Sequence, residues 1–520
     1  MRRGVAVIWQ LCLLWLAACG RGELPGSTGE PLPDEEQSLV VGAGEDEFTA
    51  EANRQRLGMY PLNASICEPL VRLTEDFRVQ PWLATRWEYR GDNTFRLWLR
   101  TDVRFHDGRR FDAAAVKFSL DRVAAQIQHS FLSAESVRIV DDSTVDVRPA
   151  RPNLRLVEQL VHPSYSMVAP GSDPRLHPVC TGPFRFAEYV PRSRLVATRN
   201  DDYWGAKARL RRLTFRFIPD ENTRVLALQA GEVDAIIDVS RGAVAGLQRQ
   251  RGLRIASAPP GGVLLAYLAL HGRAPHGILG DRVVRRAVVM ALDRRALAER
   301  ILDGHATVVH TVNPPAVLGR HAALVRGLPH APGEAARLLD AGGWRVGPRG
   351  VREKVGRPLA LLLIMQSTSI DPAVAEYMQA QLAAVGIAVT IERLDPAAYG
   401  ERLNSGRFDL DLELPNQNDA NPAFLLALRW YRPSAVASAA FMAPGPAYDA
   451  LVERALAATD HDAVQARAAE AMRYLLDDEA AAIPLAGVYR IYAMRVGVRG
   501  LEHPHPAKTH QWWNALWLAR

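Results

Sequence analysis

Residues 359–391 read Leu359-Ala-Leu-Leu-Leu-Ile-Met365, then Asp371-Pro372, then Gly386-Ile387-Ala-Val389-Thr-Ile391, and this stretch decides the fold class. An apolar run without alternation describes a strand buried on both faces, as in a parallel sheet covered by helices. Asp371 can accept hydrogen bonds from the first N–H groups of a helix, and Pro372 suits the first helical turn. Val374, Met378, Leu382 and Val385 then recur on one stripe, Gly386 stops the helix, and Ile387, Val389 and Ile391 alternate as the next strand. Two strands joined by a helix of this length run parallel with a right-handed crossover. The chain is read as α/β.

The pattern extends in both directions. Leu39-Val40-Val41-Gly42 opens a strand, and Trp87 to Arg100 alternates as another, with Phe95, Leu97 and Leu99 on one face. His106-Asp107-Gly108 is a turn, after which Asp112 caps a helix carrying Val116, Leu120, Val123 and Ile127. Leu213, Phe215 and Phe217 alternate, Asp220 caps a helix ended by Gly231, and Asp234 to Val239 resumes a strand. At 520 residues the chain exceeds one ordinary core, so two or three domains are expected.

Composition excludes several classes. A net charge of +6 is spread along the chain without a Lys/Arg block, so no nucleic-acid partner is expected. Four cysteines, none in a C-x-x-C pair, exclude a disulfide scaffold and a structural zinc site. His503, His505 and His510 are read as solvated loop residues; no metal or cofactor is expected. No G-x-S-x-G, H-E-x-x-H or P-loop pattern appears, and the chain is not read as an enzyme.

Met1-Arg2-Arg3, the apolar run Val5 to Leu16 and Leu16-Ala17-Ala18-Cys19 form a signal peptide over 1–18 ending in a bacterial lipobox. Cys19 would carry lipid, and 19–38, rich in Gly, Pro and acid, would be the tether. The expected place is extracytoplasmic, periplasm or outer cell surface, anchored to a bacterial membrane.

Several segments resemble the family 5 solute-binding proteins, which serve peptide, dipeptide and nickel importers. They are Phe95 to Arg100 with Val103-Arg-Phe-His-Asp-Gly108; Thr181-Gly-Pro-Phe184 with Arg199-Asn200 and Tyr203-Trp204-Gly205; and Leu228 to Asp234. Val283 to Ala287 with Ala291-Leu-Asp293, Gly386-Ile387 and Ser405 to Asp409 complete the set, in family order. The resemblance implies a two-lobed periplasmic-binding-protein fold, type II and cluster C-like, with an inserted subdomain. Lobe I would comprise 39–66, 180–268 and 487–520, the subdomain 67–179, and lobe II 269–486. The lobes would join near Leu264–His271 and Pro484–Tyr489. The protein would act as a monomer, giving a peptide or peptide-like solute to an ABC permease and its ATPase subunits. A nickel chelate, sugar or opine, or a sensory role, is the alternative.

By the same resemblance Asp419, after the strand Phe408 to Leu414, would pair with a solute's α-amino group. Asn416, Gln417, Asn418 and Asn421 replace the aromatic residues common there, which suits a more polar ligand. Trp430 and Tyr431 would wall the pocket or pack in the core. Arg429 would meet a ligand carboxylate or pair with an acid. His271 would bond the hinge backbone or the ligand. Cys67 and Cys180 map where the subdomain leaves and rejoins lobe I, and would form a disulfide or remain separate thiols.

Overall fold

The computed structural model describes residues 29–44, 63–126, 132–150, 154–173, 177–271, 274–367, 371–415, 420–434, 438–458, 460–507 and 510–520. The signal segment, Cys19 and the first half of the tether lie outside the described residues, as do Asn416, Asn418 and Asp419. Two large sheets carry the described fold. The first orders its strands Leu253–Ala258, Arg490–Arg495, Ala235–Ile236, Ser38–Ala43, Arg212–Phe217, Arg194–Arg199 and Phe184–Val190. The second orders Ala306–Thr307, Ala482–Val488, Val263–Leu268, Leu410–Glu413, Ala360–Gln366 and Ala388–Leu394.

The β-α-β unit forms as its sequence dictates. Ala360–Gln366 and Ala388–Leu394 pair in parallel around helix Pro372–Ala383, and Asp371 Oδ1 accepts from Ala373 N at 3.0 Å. Val374, Met378 and Leu382 are buried in the second lobe's core.

Three expectations need correction, the last of them at the C-terminal histidines. Trp87 to Arg100 is not one strand but a hairpin, Ala84–Tyr89 paired antiparallel with Phe95–Leu99. Gly91, Asp92 and Asn93 all take positive φ there, and Gly, Asp and Asn are the residues that tolerate it. The first lobe crossing also falls earlier than Leu264–His271. Val263–Leu268 is buried at every position and pairs with Leu410–Glu413 and Ala482–Val488, so it belongs to the second sheet. The chain passes between sheets at residues 259–262 and returns at Tyr489. The second sheet's side therefore begins at 263 and ends at 488, rather than spanning 269–486. At the first crossing a Cβ on Gly261 would sit 1.8 Å from the Pro506 carbonyl oxygen, so only glycine fits against the C-terminal segment.

The inserted subdomain has its own core under a sheet ordered Ala84–Tyr89, Phe95–Leu99, Thr144–Val147 and Val137–Asp141. Its root is tied by a disulfide, Cys67–Cys180, with Cα atoms 4.8 Å apart. Beside that bond the fully buried Glu68 accepts from Tyr203 Oη (2.6 Å), Thr181 Oγ1 (2.7 Å), Trp82 Nε1 (2.8 Å) and Trp204 Nε1 (3.1 Å). Four donors answer a carboxylate whose pKa burial would otherwise drive further up.

His505 and His510 are buried, not solvated loop residues; His503 alone of the three is exposed. His510 Nε2 lies 3.1 Å from the Val161 carbonyl and so ties the C-terminal segment to the subdomain. His106 accepts from Cys180 N at Nδ1 (3.3 Å), which leaves Nε2 to donate to the Gly182 carbonyl (3.1 Å). Burial lowers the His106, His162 and His505 imidazoles from 6.5 to about 4. On unfolding they regain ordinary pKa values, so below pH 6.5 the unfolded chain binds protons that the folded chain refuses. Stability is therefore whole above about pH 6.5 and drains as pH falls towards 4. Urea unfolding midpoints should fall between pH 7 and pH 5, and His505→Gln should flatten part of that slope. Equal midpoints at both pH values would show that these rings are protonated in the folded protein.

Candidate solute-binding cleft

In open α/β sheets, ligands bind beyond the carboxyl ends of parallel strands. In the first lobe Ser38–Ala43 runs parallel to Arg212–Phe217 and to Ala235–Ile236. In the second, Ala360–Gln366 runs parallel to Ala388–Leu394 and to Leu410–Glu413. One ion pair joins residues that follow these two sets of carboxyl ends. Arg241 begins the helix after Ala235–Ile236, and Asp371 caps the helix after Ala360–Gln366. Arg241 Nη2 lies 3.3 Å from Asp371 Oδ2, directly across the cleft.

The floor on the first-lobe side is fixed by two arginines. Arg224 donates from Nη1 to the carbonyls of Ile218 (2.7 Å) and Pro219 (3.2 Å) and from Nη2 to that of Asp238 (3.4 Å). It thereby ties together the ends of two parallel strands. Arg490, the first residue after the return crossing, donates from Nε to Asp238 Oδ1 at 3.0 Å.

The second lobe carries acids at alternate positions, Asp409 and Asp411 fully buried and Glu413 partly so. Asp409 is fully buried and accepts from Leu362 N (2.8 Å), with His276 Nδ1 at 2.6 Å. Asp411 Oδ1 accepts from Tyr399 Oη at 2.8 Å. Glu413 pairs with Arg429 Nη2 at 2.6 Å. Burial, helped by the charge of Glu413, pushes the Asp411 carboxyl up to about 7. Arg429 is held strongly cationic by Glu413 despite its own burial, and its guanidinium lies 5.2 Å from the Tyr267 ring.

Among the expected site residues, the structure brings Arg429 and Trp430 together around Tyr267. Trp430 does not wall the cleft: its ring is fully buried and stacks on Tyr267 with centroids 5.1 Å apart, because a short helix turns it into the second lobe's core. Arg429 is engaged by Glu413. His271 takes the backbone option, with Nε2 3.1 Å from the Ala443 carbonyl. Asn421 is buried, and its Oδ1 accepts from Ala423 N at 2.9 Å. The acid ladder 409–411–413 went unread as a site feature, although three acids at period two inside an apolar strand are visible in the sequence.

Side chains that bridge lobes and anchor loops around a cleft suit holding a molecule rather than transforming it. The fold and cleft define a two-lobed binding protein. Residues 78–434 match the family model for bacterial extracellular solute-binding proteins, family 5. The nickel-binding periplasmic protein of Escherichia coli K12 is 28% identical over 446 residues, covering 81% of this chain and 83% of that one. The glutathione-binding protein GsiB of Salmonella paratyphi A is 28% identical over 402 residues, 73% of each. The solved structure of NikA from Brucella suis with Fe(III)-EDTA superposes with a TM-score of 0.77 at 27% identity, covering 88% of this chain and 96% of that one. The chain belongs to the family 5 extracellular solute-binding proteins. It is a substrate-binding protein of the ABC-importer type and not an enzyme.

Proposed function

We propose that the chain is a lipid-anchored receptor that captures peptides or peptide-like solutes outside the cytoplasm and hands them to an ABC permease. One observation carries the ligand reading. Ala420, next after Asp419, is fully buried in the inserted subdomain's core, while Glu413, a few residues earlier, ends a strand of the second lobe. The carboxylate of Asp419 would give a bound ammonium the counter-charge it needs once water is excluded. The neighbouring amides supply donors and acceptors for a peptide backbone. The glutathione-binding relative is consistent with such a solute. Cys19 carries the lipid in this reading.

The chain, secreted with Cys19→Ala, should carry short peptides through gentle purification, seen as adducts by native mass spectrometry and identified after denaturation. Recovery of one non-peptide species or a metal chelate would remove the peptide reading and leave the binding role.

A further inference from the structure

The inserted subdomain touches more than the lobe it grows from. Val317 and Ala420, both from the second lobe, are buried in its hydrophobic core at 1% and 0% exposure. Beside them Arg155, itself only 3% exposed, donates to the carbonyl of Ala458 and pairs with Glu158 at 2.6 Å. Ala458 lies just beyond the second-lobe helix Pro446–Leu456, whose carboxyl end carries partial negative charge. Arg241 makes the matching contact elsewhere, to the carboxylate that caps helix Pro372–Ala383 at its start.

We propose that the first lobe clamps the closed state through two positioning residues, Arg155 from the inserted subdomain and Arg241 from the lobe proper. Each arginine leaves the first lobe's side and engages a helix end of the second, so neither bond survives separation of the lobes. Arg155 is the stronger of the two. It is buried, so opening must rehydrate a guanidinium and a helix-terminal carbonyl together, whereas the Arg241–Asp371 pair is half exposed and weakly held. Such contacts bias the open–closed equilibrium before any solute arrives, and a solute then adds only its own preference for the closed form. The clamp needs the two-lobed fold but no particular ligand, so it can fail without touching the peptide reading.

The test uses the secreted chain stripped of co-purified solute by reversible unfolding and dialysis with the disulfide intact, its solute-free state checked by native mass spectrometry. Spin labels at Lys207→Cys and Arg337→Cys, on the first and second lobes, report the inter-lobe distance by pulsed electron resonance. The parent should show a closed population. Arg241→Ala should lower the closed-to-open ratio roughly threefold, and Arg155→Ala roughly tenfold or more. Arg155→Lys, which keeps the charge but lacks the fork, should fall between. Should Arg155→Ala not fold, Arg155→Lys and Asp371→Asn carry the test with the same expected direction. Distance distributions unchanged in folded variants, or a parent with no closed population, would overturn the clamp.

Discussion

Cys67→Ala with Cys180→Ala lowers the stability of the oxidised protein by about 5 kcal/mol, the largest effect expected of any change outside the cleft. The bond closes a loop of sequence separation 113, and loop-closure entropy lost by the unfolded chain grows with the logarithm of that length. Native contacts next to the bond add to the effect. Thr181 follows Cys180 and Glu68 follows Cys67, and these two side chains meet at 2.7 Å. Loosening the root of the subdomain therefore loosens the acceptor that holds Tyr203, Trp82 and Trp204. Guanidinium denaturation of the double variant against the parent measures the difference. A loss below about 1 kcal/mol would show that the unfolded chain is already restrained across this span.

Asp419→Ala weakens binding of a free-amine peptide by about 3–5 kcal/mol, which is roughly two to three and a half orders of magnitude in Kd. The loss is large because the ammonium stays dehydrated while its counter-charge is gone. The same peptide with an acetylated N-terminus should bind the parent weakly and the variant no worse, since it brings no charge. Titration calorimetry with a peptide recovered from the purified parent supplies both numbers. Equal affinity of parent and variant for the free-amine peptide would remove Asp419 from the site.

Much of the architecture was legible because local chemistry and tertiary demand agree. Asp371-Pro372, Asp220 and Gly231 mark helix ends by groups that must bond or turn there, and each does so in the structure. The hinge was harder to place, since a strand buried on both faces reads the same in either sheet; only its partners Leu410–Glu413 and Ala482–Val488 assign Val263–Leu268. The hairpin at Gly91 was missed because apolar alternation continues across a tight turn whose signal, Gly91-Asp92-Asn93, was outweighed. The bridges between the lobes left no mark in the sequence. Arg155 and Arg241 look like any other arginine until folding sets them opposite the helix ends they reach. His505 and His510 carry the same lesson: polarity and a Pro-rich setting suggest water, while their actual neighbours are carbonyls in a packed interior.

The two crossings have a consequence for how such a protein diversifies. Val263, where the chain enters the second sheet, lies in register with Gly487, one residue before it leaves. The first described segment also meets the last, since Pro31 bridges Ala519. Residues 263–488 are thus a cassette whose two cut points are neighbours, spliced into the first-lobe scaffold. A different cassette could be grafted at the same joint without rerouting the scaffold's strands. Asp409, Asp411 and Glu413 travel inside it, so recombination at one joint would exchange the second lobe whole, together with Val317 and Ala420, which reach into the subdomain's core.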